Sequence, residues 1–269
     1  ALLLAARTAR RIGAFGEPER FLHDCEEVRG KDDEDLILER VLLQAHRGRV
    51  DQVADFCAVR VRDNHPSAPL ILEAQAAGLM RDYRIEDAGE RLQMWLKLRP
   101  DDCQALLMEG ILDDLQNRTN DAIEKYQRVG ELDPDNEDAG LRLTGQLLLA
   151  RKPMEALPHL ERLRKALPDD PRILTRIAQC RIDFGQAEEA KKILDRVLAQ
   201  YPHFPEALDE RGFLDLNNGD PAGAEGWLRD AVAHDPADQE ARYHLFQCLT
   251  AQGKSREADE QKARLDELE

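Results

Sequence analysis

The chain has 269 residues, of which 54 are acidic and 38 basic, so its formal net charge is −16. Nucleic acids and anionic membranes bind net basic faces, and this excess of negative charge therefore predicts no nucleic-acid partner. No segment approaches the roughly 20 apolar residues that cross a bilayer as a helix, so membrane attachment would require sequence outside this chain.

The first 34 residues predict one pair of helices. Gly13-Ala14-Phe15 forms the turn, and Phe21, Leu22 and Cys25 lie on the second helix. Compared with the repeats that follow, the register is displaced by two residues, which makes Ala1 the third residue of its helix. We therefore expect that natural sequence preceding Ala1 is missing.

From residue 35 onward the sequence repeats every 34 residues. Alanine recurs at this interval, at Ala54, Ala88, Ala122, Ala156, Ala190, Ala224 and Ala258. A proline lies twelve residues after each of the first six of these alanines, at Pro66, Pro100, Pro134, Pro168, Pro202 and Pro236. A fixed period is typical of stacked units, because each unit presents the same face to its neighbour. The chain 1–269 is therefore predicted to be a single array, with repeats at 35–68, 69–102, 103–136, 137–170, 171–204 and 205–238 and a final unit at 239–269.

Each repeat contains two apolar-periodic segments of helical length, called helix A and helix B below. In the repeat that begins at Pro205, Gly219 ends helix A and Asp220-Pro221 begins helix B. The recurrent alanine is predicted to lie where the two helices approach most closely, with apolar residues four and seven positions later on the same face. Small residues recur on helix A, at Ala76, Gly110, Ala178 and Gly212.

The recurrent alanine, the apolar residue four positions later, the small helix A residue and the closing proline resemble the tetratricopeptide repeat (TPR). The resemblance covers essentially the whole chain. It implies an all-α fold, a right-handed superhelical solenoid of about eight helix-turn-helix units that serves protein–protein interaction. The opening unit also resembles bacterial TPR arrays that follow an N-terminal membrane anchor.

Some positions depart from the pattern. Thr144 and Phe246 replace the small helix A residue, which predicts looser helix packing in their repeats. In the last unit Gln261, Lys262 and Asp266 replace apolar residues of helix B. A polar outer face is what the terminal unit of a repeat array needs, so the segment 239–269 is predicted to be a cap.

No catalytic or metal-binding motif is apparent. The five cysteines are evenly spread without a C-x-x-C pair and are interpreted as reduced, mostly buried thiols: Cys25, Cys57, Cys103, Cys180 and Cys248. A glycine-rich phosphate loop, a G-x-S-x-G elbow, H-E-x-x-H and an EF-hand loop are all absent. Acidic turns such as Asp133-Pro134-Asp135 are interpreted as helix caps. The sequence predicts a protein that is not an enzyme and uses no cofactor.

Helix A lines the concave face of TPR proteins, and the resemblance places a candidate groove on the helix A residues here. Its apolar centre consists of Leu107, Met108, Ile111, Leu141 and Leu148. Along the groove follow Arg142, Thr175, Arg176 and Gln179, and then Asp209, Glu210, Phe213 and Tyr243. An equally good interpretation has Leu107 and Ile111 completing the packing between adjacent A helices.

Arg142 and Arg176 occupy equivalent positions in adjacent repeats. Two guanidinium groups side by side can clamp a carboxylate, whereas the alternative is a solvated salt bridge to Asp138, Glu206 or Glu210. The acidic run from Glu206 to Glu210 is itself interpreted as a solvated face.

The preferred hypothesis is a non-catalytic interaction module that binds a protein segment or peptide in this groove. A second hypothesis is a scaffold or regulatory segment of a larger protein with a membrane anchor. A third is a regulatory arm of a transferase or protease encoded outside residues 1–269. The sequence does not determine the partner, the compartment or the oligomeric state.

Overall fold

The computed structural model describes residues 1–268, which form sixteen α-helices, one short 3-10 helix and no strand. In chain order the helices are α1 (Leu2–Arg11), α2 (Gly16–Arg29), α3 (Glu34–His46), α4 (Ala54–Arg62), α5 (Ala68–Arg81), α6 (Ile85–Leu98), α7 (Cys103–Leu115), α8 (Thr119–Leu132), α9 (Glu137–Leu149), α10 (Pro153–Ala166), α11 (Pro171–Asp183), α12 (Ala187–Gln200), α13 (Pro205–Asn217), α14 (Pro221–His234), α15 (Gln239–Ala251) and α16 (Ser255–Asp266). Odd-numbered helices are A helices and even-numbered ones are B helices. The predicted all-α fold of about eight helix pairs, the pair in residues 1–34 included, is confirmed.

Packing divides the chain into two compact units, Ala1–Asp135 and the residues from Asn136 onward. The N-terminal unit holds α1–α8 and the C-terminal unit holds α9–α16. Within each unit, helix A packs on helix B of its own repeat and on the next helix A, although α3 packs on the 3-10 segment Val50–Val53 rather than on α4. No helix among residues 1–268 combines the length and the apolar character needed to cross a membrane.

Local sequence determines where the helices begin and end. Five A helices follow an Asp or Asn whose side chain accepts a hydrogen bond from a first-turn N–H, namely Asp33, Asp102, Asn136, Asp170 and Asp238. The turn to helix B contains one residue with positive φ, which is the predicted glycine at Gly185, Gly219 and Gly253. The equivalent residues of three earlier repeats also have positive φ although they carry side chains: Tyr83, Asn117 and Arg151.

The predicted close approach of the two helices is confirmed in six repeats. The recurrent alanine is fully buried at Ala88, Ala122, Ala156, Ala190 and Ala224, and Ala258 is 4% exposed. A Cβ atom added at Gly110 would lie 2.5 Å from the Tyr126 ring, and one added at Gly212 would lie 2.5 Å from Leu228. The helices therefore touch at the positions where the sequence keeps a small residue.

Ala190→Leu is expected to lower the free energy of unfolding by about 1–3 kcal/mol, because the added carbons have no space at this helix contact. Urea unfolding followed by circular dichroism measures the change. Ala199→Leu is the matched control, since Ala199 is exposed on the same helix. Equal stability of the Ala190 variant and the parent would contradict the assigned register.

The prediction for Ala54 is wrong, because Ala54 is exposed and Cys57 is buried in its place. The cause lies in the preceding turn. There the positive φ falls on Gly48 and not on Arg49, the equivalent of the turn residue in the other repeats. The turn ends one residue early, helix B begins as the 3-10 segment Val50–Val53, and α4 starts from a displaced position.

The looser or shifted helix packing expected at Thr144 stays a prediction, although its side chain is enclosed. Thr144 is fully buried, and its hydroxyl donates to the Leu141 carbonyl at 2.9 Å. Four of the five cysteines are buried, as predicted, and Cys103 is half-buried. Among residues 1–268, no group of three or more His, Cys, Asp or Glu side chains is arranged to hold a metal ion.

Candidate functional site

Three positions of helix A recur as columns of side chains that are 34 residues apart. In the C-terminal unit the columns are Leu141, Thr175, Asp209 and Tyr243; Arg142, Arg176, Glu210 and His244; and Gly145, Gln179, Phe213 and Gln247. Since A helices of adjacent repeats pack together, residues of one column are neighbours in space. Most of the residues predicted for the groove belong to these columns.

The columns line a cavity of about 170 Å³, called the acidic cavity below. It brings together five of the predicted residues, Thr175, Arg176, Gln179, Asp209 and Glu210. Five others also line it: Arg172, Phe204, Glu206, Asp238 and Glu240. A second cavity of about 330 Å³ shares Arg176, Gln179, Glu206 and Glu240 and is also lined by Gly145, Leu148, Leu149 and Arg151.

Arg176 is held by hydrogen bonds within its own unit. Its guanidinium donates to the Leu141 carbonyl and, at 3.1 Å, to the Thr144 hydroxyl. Gly145 leaves the space for this arrangement, because a Cβ atom there would lie 3.2 Å from the guanidinium. Burial lowers the pKa of Arg176. Arg142 instead donates to Asp138 at 3.1 Å, which is the salt bridge considered as the alternative.

Two carboxyl groups of the acidic cavity are protonated more readily than usual. Burial raises the pKa of Asp209, and the hydrogen bond from His244 Nδ1, at 2.9 Å, opposes this effect. Burial raises the pKa of Glu210 well above its usual range, and the nearby charges of Asp209, Glu240 and Asp183 add to the shift. Arg151 opposes it only weakly, and within residues 1–268 Glu210 has neither a hydrogen-bond partner nor an ion pair.

Thr175 lines the same cavity and also lacks a partner. The residue is only 4% exposed, and its Oγ1 has no hydrogen-bond partner among the described residues. An unsatisfied buried hydroxyl costs about 1–3 kcal/mol. A ligand that donates hydrogen bonds and carries positive charge would pair with Glu210.

Aromatic rings stand beside the acidic cavity. Phe213 stacks on His244 with 4.4 Å between ring centroids, and His244 is fixed through its hydrogen bond to Asp209. Tyr243 lies 6.3 Å from His244 and is 49% exposed. The rings therefore offer apolar contact area next to the carboxylates.

The predicted apolar centre has little exposed area. Leu107, Met108, Leu141 and Leu148 are each less than one-tenth exposed, and Ile111 is half-buried. Leu107, Met108 and Ile111 lie on α7 of the N-terminal unit, whereas Leu141 and Leu148 lie on α9 of the C-terminal unit. Met108 lines a separate cavity of about 390 Å³ in the N-terminal unit, together with Arg11, His46, Glu73, Ala77 and Gln104.

Sequence reasoning missed Arg172, Glu240 and Arg151 as lining residues. A signal for the first two was present, because Arg172 and Glu240 lie 34 residues before and after Glu206 of the acidic run. Arg151 lies in a turn and not on helix A. Nothing in the helix A pattern points to it.

Comparison with known proteins agrees with the repeat pattern. The family model described as tetratricopeptide repeat matches residues 147–209 and 216–267. The chain contains tetratricopeptide repeats. It is 29% identical over 167 residues to the TPR repeat-containing protein PA4667 of Pseudomonas aeruginosa, an alignment that covers 60% of this chain and 27% of that protein. The chain thus aligns with about a quarter of the length of this curated relative.

Solved TPR structures share the fold at low sequence identity. A tetratricopeptide repeat protein from Parabacteroides merdae has a TM-score of 0.56 and 15% identity, covering 92% of this chain and 97% of that one. PilW, a type IV pilus biogenesis factor, has a TM-score of 0.60 and 19% identity, covering 73% and 91%. YrrB, described as a TPR protein with an unusual peptide-binding site, has a TM-score of 0.52 and 20% identity, covering 64% and 89%.

Proposed function

We propose that the chain is a non-catalytic protein-binding module whose C-terminal unit binds a protein segment along the helix A columns. A basic side chain of that segment occupies the acidic cavity. One observation carries the proposal: Glu210 lines the cavity together with Thr175, and its carboxyl group has no hydrogen-bond or ion-pair partner within the described residues. TPR domains generally bind other proteins, and the repeats found here make a protein ligand the natural class.

The charge balance of the cavity favours a cation. Its lining includes the carboxyl groups of Glu206, Asp209, Glu210, Asp238 and Glu240. Two arginines also line it, but Arg172 is engaged by Asp170 at 2.6 Å and Arg176 by the Leu141 carbonyl. Neither guanidinium pairs with Glu210, so a lysine or arginine side chain from the ligand would supply the missing charge.

The surroundings of the cavity favour an extended segment over a single ion. Phe213 and Tyr243 offer aromatic contacts, and Gln179 offers an amide that can pair with a ligand backbone. Leu149, 68% exposed, lines the adjoining cavity beside Leu148. Residues on either side of the basic side chain would pack against these groups, with Leu141 and Arg142 as the proposed further parts of the surface.

The test uses two ten-residue peptides with blocked ends, one with a central lysine between leucines and one with norleucine replacing the lysine. Fluorescence anisotropy should show the lysine peptide binding at least tenfold more tightly, because only its ammonium group can pair with Glu210. Glu210→Gln should remove most of that difference. Glu188→Gln, at an exposed position of α12, is the matched control and should leave it unchanged. Equal affinities for the two peptides, or equal effects of the two substitutions, would reject the acidic cavity as the binding site.

A further inference from the structure

A second cavity lies in the N-terminal unit, where the displaced helix α4 faces α5 and α6. It measures about 420 Å³, and we call it the α4 cleft. Its walls are mainly apolar and include Val50, Cys57, Ala58, Leu72, Leu79 and Met94. Cavities of roughly 300–1,000 Å³ with apolar walls and a few polar groups are the usual form of small-molecule sites.

The repeat pattern explains why this space is open. In the sequence Ala58 lies 34 residues before Leu92 and is the counterpart of Leu92, Tyr126, Leu160, Leu194 and Leu228, which are fully buried. Because α4 is displaced, Ala58 is exposed instead, and it lines the cleft with a small side chain. The early turn at Gly48 causes this displacement, and α4 packs on α5 and not on α3. An unfilled apolar cavity destabilises a fold in proportion to its volume, so this repeat is the one in which a ligand would restore the packing present in the others.

One cation at the cleft is not engaged by a carboxylate. Arg84 pairs with Asp51 at 3.0 Å and with Asp87 at 2.7 Å, and Arg62 pairs with Asp63 at 2.9 Å. Arg91 has no ion pair within residues 1–268. Its Nε is buried without a partner, and a terminal nitrogen contacts only the Met94 sulfur at 3.5 Å. An apolar cleft with an available guanidinium is complementary to an aliphatic chain that ends in a carboxylate.

We infer that the α4 cleft binds a linear aliphatic carboxylate of the medium-chain fatty-acid class, with the chain in the space left by Ala58 and the carboxylate on Arg91. This site is separate from the acidic cavity, lies in the other unit and does not depend on the proposed peptide binding.

Titration calorimetry of the full chain with sodium decanoate, below its micelle concentration, tests the inference. Decanoate should bind at a single site, and Ala58→Leu should weaken its binding at least tenfold, because Ala58 lines the cleft and the larger side chain would occupy part of its volume. Ala54→Leu, a second variant at an exposed residue that lines the cleft, should also weaken decanoate binding. Ala199→Leu, on the surface of α12, is the matched control and should bind decanoate like the parent. Thermal unfolding of each variant verifies that it folds.

The role of Arg91 has its own comparison. Decanol should bind at least fivefold more weakly than decanoate to the parent, and Arg91→Gln should bring the two affinities together. Undetectable decanoate binding to the folded parent, or binding unaffected by both cleft-filling variants, would overturn the site. Equal binding of decanol and decanoate to the parent would overturn the assignment of a carboxylate ligand.

Discussion

Glu39→Leu is expected to lower the free energy of unfolding by about 3–5 kcal/mol, the usual effect of removing one partner of a buried ion pair. The Arg10 Nε donates a hydrogen bond to the carboxylate of Glu39 on α3 at 2.7 Å. The Glu39 side chain is 1% exposed and the Arg10 side chain 2%. The substitution leaves the Arg10 guanidinium buried, with only His46 Nδ1 at 3.3 Å as a polar neighbour. A buried charge without a counter-charge is among the costliest defects in a protein interior.

The double variant Arg10→Met with Glu39→Leu separates the lost charge pairing from lost packing. Both buried charges disappear together and the apolar volume is kept, while Arg7, which also pairs with Glu39 at 3.2 Å, is 37% exposed and stays solvated. The stability of the double variant should therefore return close to that of the parent. Glu90→Leu, at an exposed position of α6, controls for the change of residue type and should stay within about 0.5 kcal/mol of the parent. Denaturant unfolding measures all four proteins. A double variant as unstable as Glu39→Leu would show that the side-chain packing, and not the ion pair, holds α1 on α3.

The stability of the chain should depend on the protonation of His46. This residue is 8% exposed, and burial together with the charges of Arg10, Arg81 and Arg11 lowers its pKa to about 4 from the ordinary 6.5. The unfolded chain therefore binds a proton at this site below pH 6.5, whereas the folded chain does so only below about pH 4. The contribution of neutral His46 to the free energy of unfolding is fully present above pH 6.5, and it decreases as the pH falls towards 4. At about 1.4 kcal/mol per pKa unit, the full loss is about 3 kcal/mol.

Comparison with His46→Gln isolates this contribution from the carboxyl groups that titrate in the same range, because glutamine keeps an acceptor near Arg10 and does not titrate. Urea unfolding at pH 7, 5.5 and 4.5 measures the free energy of unfolding of both proteins. As the pH falls, the parent should lose more stability than the variant does. His23→Gln, at an exposed histidine on α2, should show no such difference from the parent. A constant difference between parent and His46→Gln over this range would show that His46 has an ordinary pKa in the folded chain.

The repeat period predicts most of the fold because it records a steric requirement. Wherever two helices touch, as at Gly110 and Tyr126, no side chain larger than the one present fits, and the restriction is visible in the sequence. The period fails at Ala54, because a turn that ends one residue early changes which face of helix B is buried. Gly48 indicates this change locally. Ala54, however, keeps the 34-residue spacing of alanines, so the repeat pattern alone predicts a regular register there.

The candidate site was predictable in its positions and not in its chemistry. The column pattern groups Thr175, Arg176, Gln179, Asp209 and Glu210, and in the structure these residues line one cavity. It cannot show that Arg176 turns away to the Leu141 carbonyl, since that depends on the space above Gly145. Nor can it show that Glu210 stays without a partner. Such facts depend on the distances between helices, which a one-dimensional pattern does not contain.

The turn residue Arg151 has a consequence for how such surfaces diverge. Its φ of +57° lies in the left-handed region, where a side chain costs about 1–2 kcal/mol, and the next three repeats place glycine there. The arginine therefore weakens its own turn, yet it lines the cavity beside the acidic cavity. A residue outside the helices can be exchanged without repacking any helix contact. Relatives with the same core can thus acquire different ligand preferences by substitution in their turns, while the helices that build the scaffold stay unchanged.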